Sequence, residues 1–419
     1  MSMHKWIKYA IYGMSSIVVM GINVLLVQDV NSRTPNSIVG SNVAVVVEPT
    51  LPCTTFGFSV EQTVTLPVGY NISRMVRVDR RDGGTTGYMY LSSGGTGRVV
   101  QFDLNTLAII DVDSLSSSTY SVEALAAGEV SSSGLFYFGL EMFSGTNRGL
   151  ATCPIGAGNC LSLLKYENTS LIVENVDEIN RAGSGPDDIR ESGGNILVGL
   201  SGNASSVREF RTYDSSSLEF SATGTLTPSS AQVIISRPFN GFNYAARQIS
   251  NGQVYQLPAG SPTASLTTVT AFGPKLATAI YGTDINNLLF VESDTTGGGI
   301  PRRQSYNLPS LTDACTTCIY NAVTALAAAR DSTFYDSVNE RVFSVRTDGI
   351  TVKLLRTLAD VQATYTPEEL FTCPAANCGV TGLVNQSVDY APQKARLYIG
   401  SGESPAKLSK IKVCAVGGP

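Results

Sequence analysis

Seven strand–turn–strand segments, spaced by about 50 residues, predict an all-β protein in this chain. Each segment places β-prone residues on both sides of a turn rich in Gly, Asn or Asp, which is typical of a β-hairpin. A further short β-prone run precedes most hairpins, so that each repeat supplies about four strands. The predicted fold is a seven-bladed β-propeller of four-stranded antiparallel blades. The hairpin turns are centred near residues 95, 145, 203, 251, 297, 348 and 403.

The first hairpin contains a glycine cluster, Gly94, Gly95 and Gly97, which raises the alternative of a phosphate-binding loop. Such a loop joins a strand to a helix whose N-terminus faces the anion. Residues 98–103, which follow the cluster, instead alternate with the period of a strand. The pattern therefore favours a hairpin over a nucleotide site.

The later repeats carry the same signals. A strong two-residue turn signal is present at Asn251-Gly252, and turns are also indicated at Asp348-Gly349 and at 144–147. The short runs upstream are expected to form the innermost strands, where small residues fit the crowded axis. These runs are 75–78, 276–280, 325–329 and 388–391. An N-terminal strand within 56–66 is expected to pair with 410–413 and to close the ring.

One repeat also resembles a known family. Residues 90–111, Tyr90-Leu-Ser-Ser…Arg98-Val-Val-Gln-Phe-Asp…Leu107-Ala-Ile-Ile-Asp111, resemble the repeat of YVTN-type surface-layer propellers, and 396–413 resemble a looser copy. The resemblance covers one blade well and implies the fold alone, because one fold hosts many functions. The chain departs from WD-repeat propellers, since its single tryptophan is Trp6, and it lacks the Asp box of sialidases.

Three regions are expected along the chain. Residues 1–27 start with basic residues and continue with an apolar run, which indicates a cleaved signal peptide or an uncleaved membrane anchor; a buried core helix is the third alternative. Residues 28–52 read as a polar extension, and 53–419 as the propeller. Both targeting alternatives predict a secreted or extracellular cell-surface protein, which would contact a membrane only through an uncleaved N-terminal segment.

The extension contains one apolar, mostly β-branched run that predicts a short strand. Its residues are Val43, Ala44, Val45, Val46 and Val47. The propeller does not need this strand, because residues 56–66 can close the ring. The strand could cover its own propeller, belong to a late-cleaved leader, or add to a sheet edge of a neighbouring subunit. The last alternative would make the protein a polymer-forming subunit.

Eight cysteines are consistent with this layout. Six fall into local pairs that are expected to form disulfides: Cys153–Cys160, Cys315–Cys318 and Cys373–Cys378. The remaining two, Cys53 and Cys414, lie at opposite ends of the expected propeller, so a disulfide between them would lock its closure. Zinc or redox chemistry is the alternative for the Cys-x-x-Cys pair. The chain has one histidine, His4, and no βαβ pattern around the motif, so a structural disulfide is favoured.

Four Asn-x-Ser/Thr sequons agree with an extracellular, N-glycosylated protein. The acceptor residues are Asn71, Asn168, Asn203 and Asn385. Two of them, Asn168 and Asn203, fall where loops or turns are expected.

The composition leaves few routes to catalysis. Because His4 lies in the targeting segment, no catalytic residue is assigned, and neither a Ser-His-Asp triad nor a histidine base is expected. Carboxylates near a propeller axis could instead hold Ca²⁺ and support a lactonase-like hydrolysis; the alternative is that they cap turns in solvent. The candidates are Asp79, Asp82, Asp187, Asp188, Asp284 and Glu292.

Arginines are a second set of candidates, because they could bind a carboxylate or sulfate group. They are Arg77, Arg80, Arg81, Arg302 and Arg303, and the alternative is that these arginines are solvated loop residues. Nucleic acid is not an expected partner, since the net charge is −5 and no Lys/Arg run is present.

The sequence predicts a non-enzymatic extracellular glycoprotein without a metal or cofactor. Binding, adhesion or a structural role in an extracellular assembly is expected, with other extracellular proteins, further copies of the chain or glycans as partners. The alternative function is a carboxylate- and Ca²⁺-dependent propeller hydrolase.

Overall fold

Most of the residues that the computed structural model describes between Gly57 and Cys414 lie in β-strands. The described residues are 57–67, 73–93, 96–116, 126–143, 145, 152–168, 170–179, 185–200, 208–226, 233–249, 254–262, 275–283, 287–293, 302–314, 333–336, 341–346, 349–354, 369–371 and 386–414. These ranges contain no α-helix, and no helix in them is long and apolar enough to cross a bilayer.

Five antiparallel sheets have four strands each. Sheet 1 contains β2 (Ser73–Val78), β3 (Thr86–Ser93), β4 (Thr96–Asp103) and β5 (Ile109–Ser116). Sheet 2 contains β6 (Ala126–Val130), β7 (Phe136–Phe143), β8 (Asn159–Glu167) and β9 (Ser170–Glu178). Sheet 3 contains β10 (Pro186–Ser192), β11 (Asn195–Leu200), β12 (Arg208–Asp214) and β13 (Phe220–Leu226).

Sheets 5 and 6 complete the four-stranded set. Sheet 5 contains β21 (Thr333–Asp336), β22 (Arg341–Arg346), β23 (Gly349–Leu354) and β24 (Glu369–Phe371). Sheet 6 contains β25 (Val388–Ala391), β26 (Arg396–Gly400), β27 (Lys407–Cys414) and, on the outside, β1 (Gly57–Thr65). The pairing of β1 with β27 is the pairing expected for residues 56–66.

Sheet 4 has seven strands, which differs from the uniform blades expected. Its first half contains β14 (Val233–Ile235), β15 (Phe242–Ile249) and β16 (Val254–Pro258). Its second half contains β17 (Lys275–Thr283), β18 (Leu288–Ser293), β19 (Arg302–Asn307) and β20 (Thr312–Asp313). The halves join because β15 runs past its pairing with β16, and its last residues, Gln248 and Ile249, pair with the start of β17.

All seven predicted hairpins pair antiparallel. They are β3–β4, β7–β8, β11–β12, β15–β16, β18–β19, β22–β23 and β26–β27. Ser93 pairs with Thr96, so β3 and β4, which flank Gly94 and Gly95 in the chain, are paired as expected for a hairpin. The turn expected at 144–147 lies within the longer segment 144–158 that joins β7 to β8, in which the Gly145 N–H donates to the Cys153 carbonyl at 3.0 Å.

The sheets pack face to face, as β7 illustrates. Phe136 and Phe138 contact sheet 1, whereas Tyr137 contacts sheet 3, since successive side chains of a strand point to opposite faces. Gly139 lets sheet 3 approach: a Cβ at this position would meet the Ile189 Cδ1 at 2.6 Å. Both faces of the strand are therefore buried, which explains its continuous apolar sequence.

Seven buried apolar clusters fill the sheet interfaces. Six lie between neighbouring sheets, and the seventh lies between the two halves of sheet 4. The first strands of the sheets and of the sheet 4 halves also lie side by side: β2 contacts β25 and β6, β10 contacts β6 and β14, and β17 contacts β14 and β21. The Tyr390 hydroxyl of β25 donates to Asp336 Oδ2 of β21 at 2.8 Å.

Three of the expected innermost strands are confirmed, because 75–78, 276–280 and 388–391 lie within β2, β17 and β25. The run 325–329 lies outside the described residues, and β21 is the first described strand of sheet 5.

The predicted Cys153–Cys160 disulfide is confirmed, with an S–S distance of 2.10 Å. The sequon residue Asn168 is exposed in the turn between β8 and β9, at a φ of 53°, as expected for a turn. Cys414 ends β27. The other predicted features lie outside the described residues: Val43–Val47 with the rest of 1–56, Cys53, Cys315, Cys318, Cys373, Cys378, Asn71, Asn203 and Asn385.

Candidate functional site

A pocket of about 180 Å³ lies where the first strands end. Its lining residues belong to β2, β10, β14, β17, β21 and β25, or follow one of these strands by no more than four residues. Six short strands from distant parts of the chain therefore build one site.

The lining is strongly cationic. Its charged residues are Arg77, Arg80, Arg190, Arg237 and a single carboxylate, Asp389. The rest is largely apolar or aromatic and includes Ile235, Phe239, Ile280, Phe334 and Val388. Such a combination suits an organic anion better than a cation, because guanidinium groups repel a cation and apolar walls need an apolar body to pack against.

Two of the arginines hold neighbouring first strands together. Arg77 of β2 donates from Nε to the Gly128 carbonyl of β6 at 2.7 Å. Arg190 of β10 donates from Nε to the Ile235 carbonyl of β14 at 2.8 Å. Each also donates from Nη1 to the carbonyl of the residue before it. Both side chains are almost fully buried, so these bonds satisfy groups that water cannot reach.

Two aspartates make the complementary contacts. Asp188 Oδ2 accepts from the Ile235 N–H at 2.7 Å, and Asp389 Oδ2 accepts from the Val78 N–H at 3.0 Å. In both residues Oδ1 accepts from the next backbone N–H of its own strand. The same arrangement therefore joins β10 to β14 and β25 to β2.

Arg80 and Arg237 occupy equivalent positions, two residues after the ends of β2 and β14. Arg237 donates from Nε and Nη2 to the two carboxylate oxygens of Glu129, at 2.8 and 3.1 Å. Arg80 donates from Nη2 to Asp389 Oδ1. The Arg80 Nε is buried and has no hydrogen-bond partner among the described residues.

Burial and neighbouring charges shift the pKa values of Arg80 and Asp389. Burial and the nearby Arg237 lower the pKa of Arg80 to about 10, although Asp389 and Glu129 oppose the shift. Burial would raise the pKa of Asp389, but Arg80, Arg237 and Arg77 together hold it below its usual value. At neutral pH Arg80 and Asp389 are therefore charged, and Arg80 and Arg237 repel each other across the site.

Several of the carboxylate and arginine candidates named from the sequence are buried, whereas the alternative considered for them was a solvated turn or loop. That alternative is wrong for Asp187 and Asp188, which are buried in β10, and for Arg77, which is buried in β2. Asp79 is also buried, and its two oxygens accept from Arg81 Nε and Nη2. The expectation of an exposed residue holds for Asp82. Asp284 and the side chains of Glu292, Arg302 and Arg303 lie outside the described part of the molecule.

Sequence reasoning missed four members of the site: Glu129, Arg190, Arg237 and Asp389. A usable signal was present for Asp389, which lies inside the run 388–391 that was expected to form a strand. A charge in a strand that is expected to be buried must find a partner. The partners, however, come from other sheets, and spacing along one repeat does not reveal them.

The donor set does not fit Ca²⁺, which binds six to eight oxygen ligands that include carboxylates. Asp188 and Asp389 already accept backbone N–H groups and contact guanidinium groups, at 2.8 Å in the case of Asp188 and Arg190. In the described ranges no group of three His, Cys, Asp or Glu side chains is placed to hold a metal ion. No step of a calcium-dependent hydrolysis is therefore derived for this pocket.

Comparison with known proteins identifies a fold and no family. No protein-family description matches the chain, and no curated protein matches it significantly. Among solved structures, the chain resembles the hydrazine synthase of Kuenenia stuttgartiensis, with a TM-score of 0.56 and 14% identity over 84% of this chain and 98% of that one. At this identity the similarity shows an all-β, propeller-like fold and carries nothing about activity.

Proposed function

We propose that the chain is an extracellular, non-catalytic glycoprotein that serves in binding, adhesion or as a structural subunit of an extracellular assembly. The observation that carries this proposal is that charged side chains on the first strands of the sheets form structural contacts within the fold. Asp188 and Asp389 accept backbone N–H groups of neighbouring strands, and Arg190 donates to the carbonyl of Ile235, the residue whose N–H donates to Asp188. These contacts are structural, whereas a hydrolase would keep such groups available for its substrate.

The proposed architecture is a seven-bladed ring closed by β1. Each half of sheet 4 counts as a blade, and the order of contacts between first strands runs from β2 through β6, β10, β14, β17, β21 and β25 back to β2. Seven apolar clusters at seven interfaces support the same count. A closed ring leaves no exposed sheet face, which suits a durable scaffold outside the cell.

Two features support the extracellular location. The Cys153–Cys160 disulfide is buried in the core, and disulfides of this kind persist in oxidising compartments. Asn168 is exposed at a turn, where an oligosaccharide can be accommodated. The proposed partners are other extracellular proteins, further copies of the chain or glycans.

The alternative, a calcium-dependent hydrolase, is tested with lactone and ester substrates in the presence of Ca²⁺ or EDTA. We expect hydrolysis at the buffer rate and a melting temperature that does not respond to Ca²⁺. The variant Asp188→Asn should lose stability only. Hydrolysis that requires Ca²⁺ and disappears in folded Asp188→Asn would overturn the non-catalytic proposal.

A further inference from the structure

The pocket contains two guanidinium groups whose hydrogen-bonding capacity is only partly used. An arginine carries five N–H donors. Arg237 uses Nε and Nη2 on Glu129, and Arg80 uses Nη2 on Asp389, while the Arg80 Nε is buried without a partner among the described residues. A buried donor without an acceptor costs free energy, so a ligand that supplies the acceptor is stabilised there.

These two arginines are also held in place before any ligand arrives. Glu129 fixes Arg237 through two parallel bonds, and Arg190 contacts the same carboxylate at 3.3 Å. Asp389 contacts Arg80 and is itself fixed by two backbone N–H groups. A ligand therefore meets ordered donors and does not have to order flexible side chains, which favours affinity.

The size of the pocket and the polarity of its lining limit the class of ligand that it can bind. The pocket that contains the arginines also has an apolar wall. This wall is formed by Phe239, Ile280, Phe334 and Val388. An inorganic oxyanion would leave that wall without contacts. The volume of about 180 Å³ lies below the roughly 300–1,000 Å³ of pockets for drug-sized ligands, so the bound group is small.

We propose that Arg80 and Arg237 bind the carboxylate of a small organic anion whose apolar body packs against Phe239, Ile280 and Phe334. The planar guanidinium fork matches a planar carboxylate, and a carboxylate placed near both arginines also offsets their mutual repulsion. This site goes beyond the function proposed above, which assigns no ligand to the pocket and does not depend on one.

Calorimetric titration with benzoate tests the site, because benzoate combines a carboxylate with a short apolar body. The wild-type chain should bind benzoate, and Arg237→Gln should bind it at least tenfold more weakly. Arg237→Gln is chosen because Glu129 keeps its contact with Arg190 and is not left unpaired. Arg396→Gln is the matched control, since Arg396 pairs with Glu61 and does not line the pocket; this variant should bind benzoate like the wild type.

Further probes distinguish the outcomes. Benzamide, which lacks the charge, and sulfate, which lacks the apolar body, should each bind at least tenfold more weakly than benzoate. Equal binding of benzoate by the wild type and folded Arg237→Gln, or no benzoate binding up to about 10 mM, would overturn the proposal. Sulfate binding as tight as benzoate would also overturn it, in favour of a general oxyanion site.

A variant at Arg80 provides an independent check. Arg80→Gln alone would remove the arginine that pairs with Asp389, so the paired change Arg80→Gln with Asp389→Asn is used, because it leaves the net charge of the site unchanged and retains an oxygen acceptor for the Val78 N–H. Circular dichroism and melting establish that this double variant is folded. Its benzoate affinity should also fall at least tenfold, and an unchanged affinity would contradict the role of Arg80.

Discussion

At the scale of single residues, burial and pairing decide which charged groups stabilise the fold and which oppose it. Arg237 and Glu129 form a bidentate pair, which pays for part of the desolvation of both. Glu141 in β7 is different, because it is 4% exposed and the Asn159 Nδ2 group that donates to it at 2.6 Å is neutral. Burial raises the pKa of Glu141 to about 7, and the charge of Asp187 adds to the rise.

A pH dependence of stability follows from Glu141. Its pKa is about 7 in the folded chain and near 4.5 in the unfolded chain, so the folded state binds more protons between these values, and stability falls as pH rises through this window. The ionised side chain should cost the folded state about 3 kcal/mol above pH 7. Glu141→Gln keeps the acceptor for Asn159 and removes the charge.

We therefore expect Glu141→Gln to raise the melting temperature at pH 8 and to leave it nearly unchanged at pH 4, where both states hold the proton. Thermal unfolding monitored by circular dichroism across pH 4–8 measures the effect. A variant whose stability differs from the wild type by the same amount at every pH would show that Glu141 does not titrate in this window.

At the scale of elements, the hairpins were predictable and their lateral connections were not. The pairing of β22 with β23 follows from Asp348-Gly349 between two alternating runs, because the signal lies within a dozen residues. β15 pairs with β17 only through the residues that lie beyond its pairing with β16. The turn signals do not specify where the pairing with β16 ends, so they do not predict this extension. Long-range geometry likewise brings Arg190 to Glu129 and Ile235, and no single repeat encodes that geometry.

The lateral bonds between first strands should carry much of the cohesion between sheets. Arg190→Met removes the bonds to Ile235 and Glu129 and leaves Asp188 buried without its cation. Breaking a buried pair from one side typically costs about 3–5 kcal/mol, and we expect a loss of stability in that range. Denaturant unfolding measures the difference.

A surface pair provides the matched control for Arg190→Met. Glu403 pairs with Lys407 at 3.0 Å, and both side chains are about a quarter to a third exposed. Glu403→Gln should change stability by less than about 1 kcal/mol, because water screens such a pair. Similar losses in the two variants would contradict the argument that the first-strand arginines hold the sheets together.

At the scale of the whole molecule, the proposed ring depends on one junction between the two ends of the propeller. The sequence indicated this junction from Cys53 and Cys414, and the register of β1 on β27 now places Gly57 opposite Cys414. Three residues lie between Cys53 and Gly57, and four Cα–Cα steps span at most about 14 Å, so the chain tethers Cys53 within that distance of Gly57, which lies opposite Cys414. A bond between Cys53 and Cys414 would close a loop of the chain that contains every described sheet.

We predict that non-reducing peptide mapping of the folded protein finds Cys53 cross-linked to Cys414. Because the loop is very long, the chain-entropy model gives about 6 kcal/mol for this bond, against about 2–3 kcal/mol for the short loop between Cys153 and Cys160. Cys414→Ser should therefore lower the unfolding midpoint more than the double change Cys153→Ser with Cys160→Ser. Cooperative unfolding of all sheets should also give way to early opening of sheet 6, which hydrogen exchange detects in β1 and β27. A free thiol at Cys53 or Cys414 in folded protein would instead mean that the hydrogen bonds between β1 and β27 hold the ring closed without covalent help.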